Sequence, residues 1–263
     1  MSLSWRERRL TGWRPGVTIH IQPQHIAWIR RRGMFKPGDI ARGKVSVEHH
    51  AKDMQPLLAA LPQVLREAGA AGARVELVLS SAFVRYALVP NPDGAANSEE
   101  LALLCRHAFQ RVHGDAVAGW NIRLSLAALG GNGLASAMDE ELLQGLAQHV
   151  QAAKGRLASV QPGLAYAFNH LAQSRPDGVF VLREPGRLCL LAWQNRSWAA
   201  VQLLPVPAEW PPVLEAALRR LRLQLALPDN VQVQVCELPR GEVLPRLATW
   251  HPPAGWSVAG GMA

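Results

Sequence analysis

Three places in the sequence carry side chains that act as nucleophiles or metal ligands in other proteins. Ser80-Ser81 lack a surrounding Gly-x-Ser-x-Gly, so they do not form a nucleophile elbow. His49 and His50 are adjacent in sequence, and adjacent residues of an extended strand point to opposite faces. Cys105 and His107 have no second pair of residues at metal-ligand spacing. The sequence therefore predicts neither a catalytic residue nor a metal site.

Candidate phosphate-binding and acid–base residues also have structural interpretations. Gly130-Gly131-Asn132-Gly133 lacks the Lys-Ser/Thr of a P-loop and precedes a predicted strand rather than a helix, so we predict a hairpin loop. Glu99-Glu100 and Glu140-Glu141 open predicted helices, where carboxylates favour the helix dipole. Asn97 with Glu100 has the form of a capping box. No cofactor or cofactor-binding residue is predicted.

The elements that carry these residues are organised around a predicted three-strand meander between Gly178 and Leu204. In Glu184-Pro185-Gly186-Arg187, proline presets the first central position of a turn, and glycine supplies the positive φ that a type II turn needs at the second. Gln194-Asn195-Arg196-Ser197 is a polar break of hairpin length. The apolar runs between these turns are residues 179–182, 188–193 and 198–204.

Each half of the chain is predicted to contain a three-strand meander followed by a helix and a strand. This repeated order predicts an α/β fold of two similar halves, with mixed sheets, meanders and flanking helices. Two halves that open with meanders argue against a Rossmann sheet. We place the division near Gly155, giving domains 1–155 and 156–263, and predict a last short helix at 242–249. The first half is predicted as strands 17–22, 25–31 and 44–48, helix 52–68 and strand 74–79, and the second continues past its meander with helix 213–227 and strand 231–236.

Three stretches carry a resemblance to a known family: VELVLSSAFVRYALVPNPD (75–93), LASAMDEELLQGLAQHVQAAKGRLASVQPGLAYAFNHL (134–171) and the meander at Gly178. Together they cover most of the chain. Their order of strands, helices, prolines and glycines resembles the actin-like pilus and secretion assembly proteins. These are the PilM-type platform proteins, their MshI-type and HofM-type relatives, and the cytoplasmic domain of the GspL-type type II secretion protein.

The resemblance implies an actin-like (ribonuclease H-like) fold with a small inserted subdomain at about 83–129. It also implies a cytoplasmic scaffold docked at the bacterial inner membrane. Expected partners are membrane-anchored pilus or secretion proteins, bound through short cytoplasmic tails, and an assembly ATPase.

The sequence departs from the nucleotide-binding members of the family at its two phosphate turns. Such members need an Asp-x-Gly turn, where glycine admits the phosphates and aspartate organises Mg²⁺. The first turn, Gln22-Pro23-Gln24-His25, has no acid and no glycine, and its proline removes an N–H donor. The second keeps Glu184 and Gly186 but also contains a proline. We therefore expect no enzymatic activity, with an ATP-binding actin-like assembly protein as the alternative.

Charge leaves a further alternative open, a basic peripheral membrane protein. The net charge is +8, and many of the cations precede residue 37. They predict a solvated basic face, or attraction to an anionic membrane or an acidic partner. No zinc-finger spacing or RNP-type aromatic motif accompanies the charge, so we do not expect nucleic-acid binding. The cations near the N-terminus are Arg6, Arg8, Arg9, Arg14, Arg30, Arg31, Arg32 and Lys36.

Apolar residues and cysteines favour a cytoplasmic protein. No apolar run approaches the ~20 residues that span a bilayer, and the first residues lack the apolar segment of a secretory signal. Three widely spaced cysteines in apolar runs predict buried free thiols. Nine tryptophans are present. Trp28, Trp193 and Trp198 are predicted core residues, and Trp5, Trp13, Trp210, Trp250 and Trp256 are predicted to pack on their own domain or to anchor a partner.

Overall fold

A computed structural model of the chain describes residues 16–31, 39–48, 54–90, 97–126, 131–171, 177–228, 231–250, 252 and 257–258. Helices and strands alternate along it, as expected for an α/β protein. The helices are α1 (Gln55–Glu67), α2 (Ser98–His113), α3 (Glu140–Ala152), α4 (Gly163–Leu171) and α5 (Pro211–Leu225), with a 3-10 helix at Gly114–Gly119. The strands are β1 (Gly16–Gln22), β2 (His25–Arg31), β3 (Asp39–Ser46), β4 (Arg74–Leu79), β5 (Val84–Val89), β6 (Trp120–Leu126), β7 (Gly133–Asp139), β8 (Arg156–Pro162), β9 (Gly178–Glu184), β10 (Arg187–Gln194), β11 (Ser197–Pro205), β12 (Gln232–Glu237), β13 (Arg246–Leu247) and β14 (Ser257–Val258).

The first sheet has the strand order β3-β2-β1-β4-β8. β1 pairs antiparallel with β2 and parallel with β4, because a two-residue turn joins the former pair and a crossover through α1 joins the latter. Val17, Ile19 and Ile21 alternate with Thr18, His20 and Gln22 along β1, and all six are buried. A strand covered on both faces explains why polar residues lie in this core.

The second sheet repeats the pattern, with the order β11-β10-β9-β12-β13, and β14 pairing with β12. β9 pairs antiparallel with β10 and parallel with β12, as β1 does with β2 and β4. Leu214, Leu218 and Leu221 of α5 are spaced by three or four residues and are buried in the core of this sheet. The predicted α/β architecture of two meander-led sheets is confirmed.

The predicted insertion is a three-stranded antiparallel sheet, β5-β7-β6, with α2 beside it. Cys105 and Phe109 are the buried residues of α2. Leu104 and Val112 of the same helix are exposed, at 41% and 75%. A sheet of three strands is narrow, so it covers only one stripe of the helix. This sheet extends to Asp139, beyond the predicted limit of 129.

Two compact units emerge from the contacts within the chain. One comprises Met1–Phe83, Glu140–Asn169 and Pro239–Leu244, and the other Val84–Asp139, His170–Leu238 and Pro245–Ala263. These bounds differ from the predicted division near Gly155. β8 lies after Gly155 in sequence but pairs with β4 of the first sheet, so that sheet continues to Pro162.

Three sequence-based boundaries need correction. β3 begins at Asp39 rather than at residue 44, because it pairs with the whole length of β2. α1 begins at Gln55 rather than at residue 52, and it continues through Pro62. The helix predicted at 242–249 is wrong. Instead, Pro239–Leu244 joins the first compact unit, and Arg246–Leu247 forms β13.

Candidate functional site

The first predicted phosphate turn joins β1 to β2, and Gln22 and His25 are its paired ends. The structure shows what lies against it: the chain segment Pro239–Leu244, which belongs to the same compact unit. The contact involves the side chains of β1 that share one face with Gln22. β1 pairs with β2 along one edge and with β4 along the other, so hydrogen bonds on both edges hold the backbone of these residues in position.

Gln22 binds this segment with both ends of its amide. Its Nε2 donates to the carbonyl oxygen of Pro239 at 3.0 Å, and its Oε1 accepts from the backbone N–H of Gly241 at 2.8 Å. The side chain is 2% exposed. A buried amide needs both kinds of partner, and here the backbone supplies one of each. The side chain of Gln22 therefore holds the chain's own backbone beside this turn.

His20 makes the next contact, two residues earlier on the same face of β1. Its Nδ1 lies 2.8 Å from the carbonyl oxygen of Glu242, and since a carbonyl only accepts, Nδ1 carries the proton. Burial lowers the pKa of His20 to about 4, although this hydrogen bond raises it in part. Val243 then packs on Ala27 and Ile29 of β2. The segment is thus held by polar contacts at one end and apolar contacts at the other.

Cations surround the bend of this segment. Gly241 has φ +71, and a Cβ there would lie 2.8 Å from Cδ of Lys44 and 3.8 Å from Cδ2 of His25. The pKa of His25 is lowered by burial and by the positive charges of Arg240 and Lys44. The positive φ favours glycine here, since other residues adopt it only at a cost. Two cationic side chains, Arg240 and Lys44, therefore lie close to His25 at this end of the first sheet.

The second predicted phosphate turn joins β9 to β10 and has the predicted glycine geometry. Gly186 has φ +77, which agrees with the type II turn expected from Pro185-Gly186. Glu184, the acidic residue of this turn, is 2% exposed. It lies opposite Arg187 in the antiparallel alignment of β9 with β10. This carboxylate is thus part of the protein interior.

Arg183, beside this turn, belongs to a charge network of the second unit. Its Nη1 lies 2.9 Å from Oε2 of Glu237, whose Oε1 lies 2.6 Å from Nε of Arg246. Its guanidinium also lies over the ring of Trp210, 5.4 Å from the centroid. A carboxylate between two arginines ties β12 to its neighbours β9 and β13.

The remaining candidates of the sequence lie apart from both turns. Ser80 and Ser81 are buried after β4, and Ser80 Oγ accepts from the N–H of Ala82 at 3.3 Å. Cys105 is buried on α2, whereas His107 is exposed on the same helix. Among the described residues no group of three or more potential metal ligands occurs. His49 and His50 lie outside the described residues.

The acidic pairs are structural. Asn97 Oδ1 accepts from the N–H groups of Glu99 and Glu100, each at 3.0 Å, and Glu100 Oε2 accepts from the N–H of Asn97 at 3.1 Å. The predicted capping box of α2 is confirmed. Glu140 and Glu141 lie in the first turn of α3, as the dipole interpretation requires.

The glycine-rich loop before β7 contacts another hairpin of its own unit. The N–H of Asn132 donates to Oγ of Ser197 at 2.9 Å, and Asn132 Nδ2 donates to the carbonyl oxygen of Trp198 at 3.0 Å. A Cβ at Gly131 would lie 2.8 Å from that Ser197 oxygen. The loop thus fixes the inserted sheet to the start of β11. Gly130 lies outside the described residues.

Buried positions account for the tryptophans and cysteines that the structure describes. Trp28, Trp193 and Trp198 are core residues, as predicted, and Trp210 and Trp250 pack in the core of the second sheet rather than presenting a partner anchor. Trp5, Trp13 and Trp256 lie outside the described residues. The three cysteines are buried free thiols, as predicted: Cys105, Cys189 and Cys236.

Sequence reasoning missed the Pro239–Leu244 segment as part of the first turn. The contact joins residues more than 200 positions apart in the sequence, and no local sequence pattern predicts such a contact. One signal was present: Pro239 and Gly241 flank a short polar stretch directly after a strand, which is the composition of a turn. Because a helix was predicted at 242–249, this signal was not used to predict a turn.

Comparison with known proteins was made by sequence and by structure. No family model and no curated protein matches the sequence. The cytoplasmic domain of EpsL, an inner membrane component of the type II secretion system of Vibrio cholerae, is similar in structure. Its TM-score is 0.56 at 17% identity, over 94% of this chain and 90% of that chain.

Two further solved structures share the architecture. The PilM–PilN type IV pilus biogenesis complex gives a TM-score of 0.62 at 16% identity, over 86% of this chain and 81% of that chain. A Bacteroides thetaiotaomicron protein with an actin-like ATPase fold and unknown function gives 0.57 at 11% identity, over 85% and 82%. None of the helices in the described ranges is long and apolar enough to cross a membrane. The fold of this chain is therefore the actin-like ATPase fold.

Proposed function

We propose that this chain is a non-catalytic scaffold of a bacterial type IV pilus or related secretion system. In this role it docks membrane-anchored assembly proteins at the inner membrane through their cytoplasmic tails. Support for the system comes from the fold, which is shared over most of the chain with an inner-membrane type II secretion component and a type IV pilus complex.

Support for a role without ATP chemistry comes from the first turn. A phosphate-binding turn must offer free backbone donors and space to the ligand. Here Pro23 removes one donor, and Gln22 is engaged with Pro239 and Gly241 at 3.0 and 2.8 Å. The observation that carries the proposal is that the chain's own segment Pro239–Leu244 is hydrogen-bonded to Gln22, the residue that leads into this turn.

Calorimetry with Mg²⁺-ATP tests the first half of the proposal. We expect no heat of binding from the intact protein up to millimolar nucleotide, because the turn lacks an acid and a glycine, Pro23 removes a donor, and Gln22 is hydrogen-bonded to the chain's own segment. The Asn97→Ala variant is a matched control, since it disturbs a helix cap and leaves this turn unchanged. Binding at micromolar affinity would refute the proposal and favour the alternative, an ATP-binding actin-like assembly protein.

A docking assay tests the second half. Cytoplasmic tails of the inner-membrane pilus and secretion proteins from the same organism are immobilised as peptides, and the purified chain is passed over them. The scaffold role predicts that at least one tail retains the protein and that a scrambled version of that tail does not. Retention by none of them would count decisively against docking of this kind.

A further inference from the structure

Helix α2 exposes two leucines on the side away from its sheet. Leu103 is 67% exposed and Leu104 is 41% exposed, whereas Cys105 and Phe109 of the same helix are buried in the core of the inserted sheet. Because a helix has 3.6 residues per turn, residues three and four positions apart lie on one face. Exposed residues with this spacing form a row that we call the α2 stripe: Glu100, Leu103, Leu104, His107 and Arg111.

Charge is ordered along the α2 stripe, with an acid at one end and a base at the other. Glu100 lies in the first turn of α2 and Arg111 in the last turn, and the two leucines and His107 lie between them. The helix dipole by itself favours this order of charges. The narrow sheet explains why the middle of the stripe is uncovered, but not why it contains leucines, since apolar area in water is unfavourable. The leucines therefore point to a surface that another molecule covers.

A second copy of the same helix complements the α2 stripe when it runs antiparallel. A two-fold axis that places Glu100 opposite Arg111 of the second copy also places Leu104 opposite His107 of the second copy. Both pairs have the same midpoint, between residues 105 and 106. A two-fold interface uses the same residues of both copies, so each pair occurs twice. Since packed helices have axes about 8–10 Å apart, one alignment provides two ion pairs at its ends and covers the leucines between them.

We propose that α2 is a self-association surface, through which two copies of this chain pair by antiparallel contact of their α2 stripes. Glu100 of each copy binds Arg111 of the other, and Leu103 and Leu104 are buried between these ion pairs. The capping hydrogen bond to the N–H of Asn97 uses Oε2 of Glu100. A carboxylate has further acceptor sites, so the cap and the ion pair coexist. This inference goes beyond the scaffold function, because it concerns contact between copies rather than binding of an assembly protein.

A second copy fits the α2 stripe better than an acidic protein or an anionic membrane does. Either of these would attract Arg111 but repel the carboxylates of Glu99 and Glu100 in the first turn. An antiparallel copy presents an acid to the base and a base to the acid, so it satisfies both ends of the stripe. Self-complementary charge is therefore the property to test.

Sedimentation equilibrium of the purified chain over a range of concentrations measures self-association. We expect a weak dimer, with a dissociation constant on the order of 100 μM, because one helix face per copy is a small interface. Arg111→Glu should weaken the dimer about tenfold, because it turns two symmetric attractions into repulsions. The matched control is Arg219→Glu, an equal change of charge at an exposed position of α5. It should leave the dissociation constant within about twofold.

A mixture of two charge-reversed variants tests the antiparallel alignment. Arg111→Glu and Glu100→Lys should each associate more weakly alone, because like charges then meet at both ends of the stripe. Mixed in equal amounts they should form a dimer with one copy of each, because an acidic stripe then faces a basic one. Glu100→Lys removes one hydrogen bond of the helix cap, so a thermal melt checks its folding. If it does not fold, the comparison of Arg111→Glu with Arg219→Glu still decides.

Cysteine cross-linking tests the register independently of charge reversal. Glu100→Cys mixed with Arg111→Cys should form a disulfide between the two variants on oxidation. Neither variant should cross-link to itself, because like positions lie about 16 Å apart along the helix axis, at a rise of 1.5 Å per residue. The native cysteines are buried, so they do not compete.

Several results would overturn the inference. A monomer at every concentration up to millimolar would refute it, and a dimer that Arg111→Glu does not weaken would form through another surface. Failure of the mixed variants to associate would exclude the antiparallel alignment. If the chain stays monomeric and binds vesicles containing phosphatidylglycerol through Arg111, the stripe belongs to a membrane surface. A monomeric chain that still binds a cytoplasmic tail would refute the dimer and leave the scaffold function standing.

Discussion

Acidification should destabilise the first compact unit through a single residue, His20. Its side chain is fully buried on β1, and its Nδ1 proton is donated to the carbonyl oxygen of Glu242. Protonation of the second ring nitrogen would place a charge in the protein interior without solvent. Burial therefore holds the pKa of His20 at about 4, well below its ordinary 6.5.

The direction and size of the effect follow from proton linkage. Between pH 6.5 and 4 the unfolded chain binds a proton at this residue and the folded chain does not, so stability falls as pH falls. At about 1.4 kcal/mol for each pH unit, the full loss is about 3 kcal/mol, and it is complete below pH 4. Domains of this kind have about 5–15 kcal/mol in total, so the loss is measurable.

Urea unfolding at a series of pH values measures this loss. The matched variant is His20→Asn, whose side-chain amide can still donate to the Glu242 carbonyl but does not titrate. Every other histidine is present in both proteins, including His25, whose pKa is also lowered. The difference in unfolding free energy between the two proteins should therefore isolate His20. Hydrogen exchange of the β1 peptide provides a local readout of the same unit.

We expect the stability of the original protein to fall relative to His20→Asn by about 3 kcal/mol from pH 6.5 to 4. The variant is less stable at neutral pH, because a smaller side chain leaves a cavity. Parallel pH profiles for the two proteins would refute the reasoning. They would mean that His20 is solvated or protonated in the folded state and that the Pro239–Leu244 segment does not cover it.

Three further predictions concern other parts of the molecule. Gln22→Ala should cost about 2–4 kcal/mol in urea unfolding, because it removes two hydrogen bonds and leaves the N–H of Gly241 unpaired; no change would mean that the segment is not held there. Asn97→Ala should lower stability by about 1 kcal/mol and Asn97→Asp much less, as thermal melts can show. Burial raises the thiol pKa of Cys105 to about 11 and that of Cys236 to about 12. Neither thiol should therefore react with a thiol reagent at neutral pH until denaturant is added. Rapid labelling of both cysteines in the folded protein would contradict their burial.

Local sequence signals predicted the repeated part of the fold well. Alternating and continuous apolar runs located both meanders, since strands buried on one or both faces leave these patterns. Asn97 with Glu100 located the start of α2 because their hydrogen bonds involve neighbouring residues. Pro185-Gly186 located the β9–β10 turn for the same reason.

Features that depend on distant neighbours could not be predicted in this way. The length of β3 is set by β2, which lies beside it, and not by its own mixed sequence of basic and small residues. The exposed face of α2 reflects the narrow sheet beneath it. The sequence showed only that the first turn has no acid and no glycine, and the structure shows what the amide of Gln22 binds.

Pro23 and the hydrogen-bonded side chain of Gln22 both act against phosphate binding at the first turn. In a nucleotide-binding turn, phosphate oxygens satisfy backbone donors that would otherwise face water. Here Pro23 removes one backbone donor, and the side chain of Gln22 is hydrogen-bonded to the Pro239–Leu244 segment. A ligand that displaced this segment would have to replace two hydrogen bonds and expose the contact of Val243 with β2. The proposed loss of ATP binding and the stability of the turn are therefore two results of the same contacts.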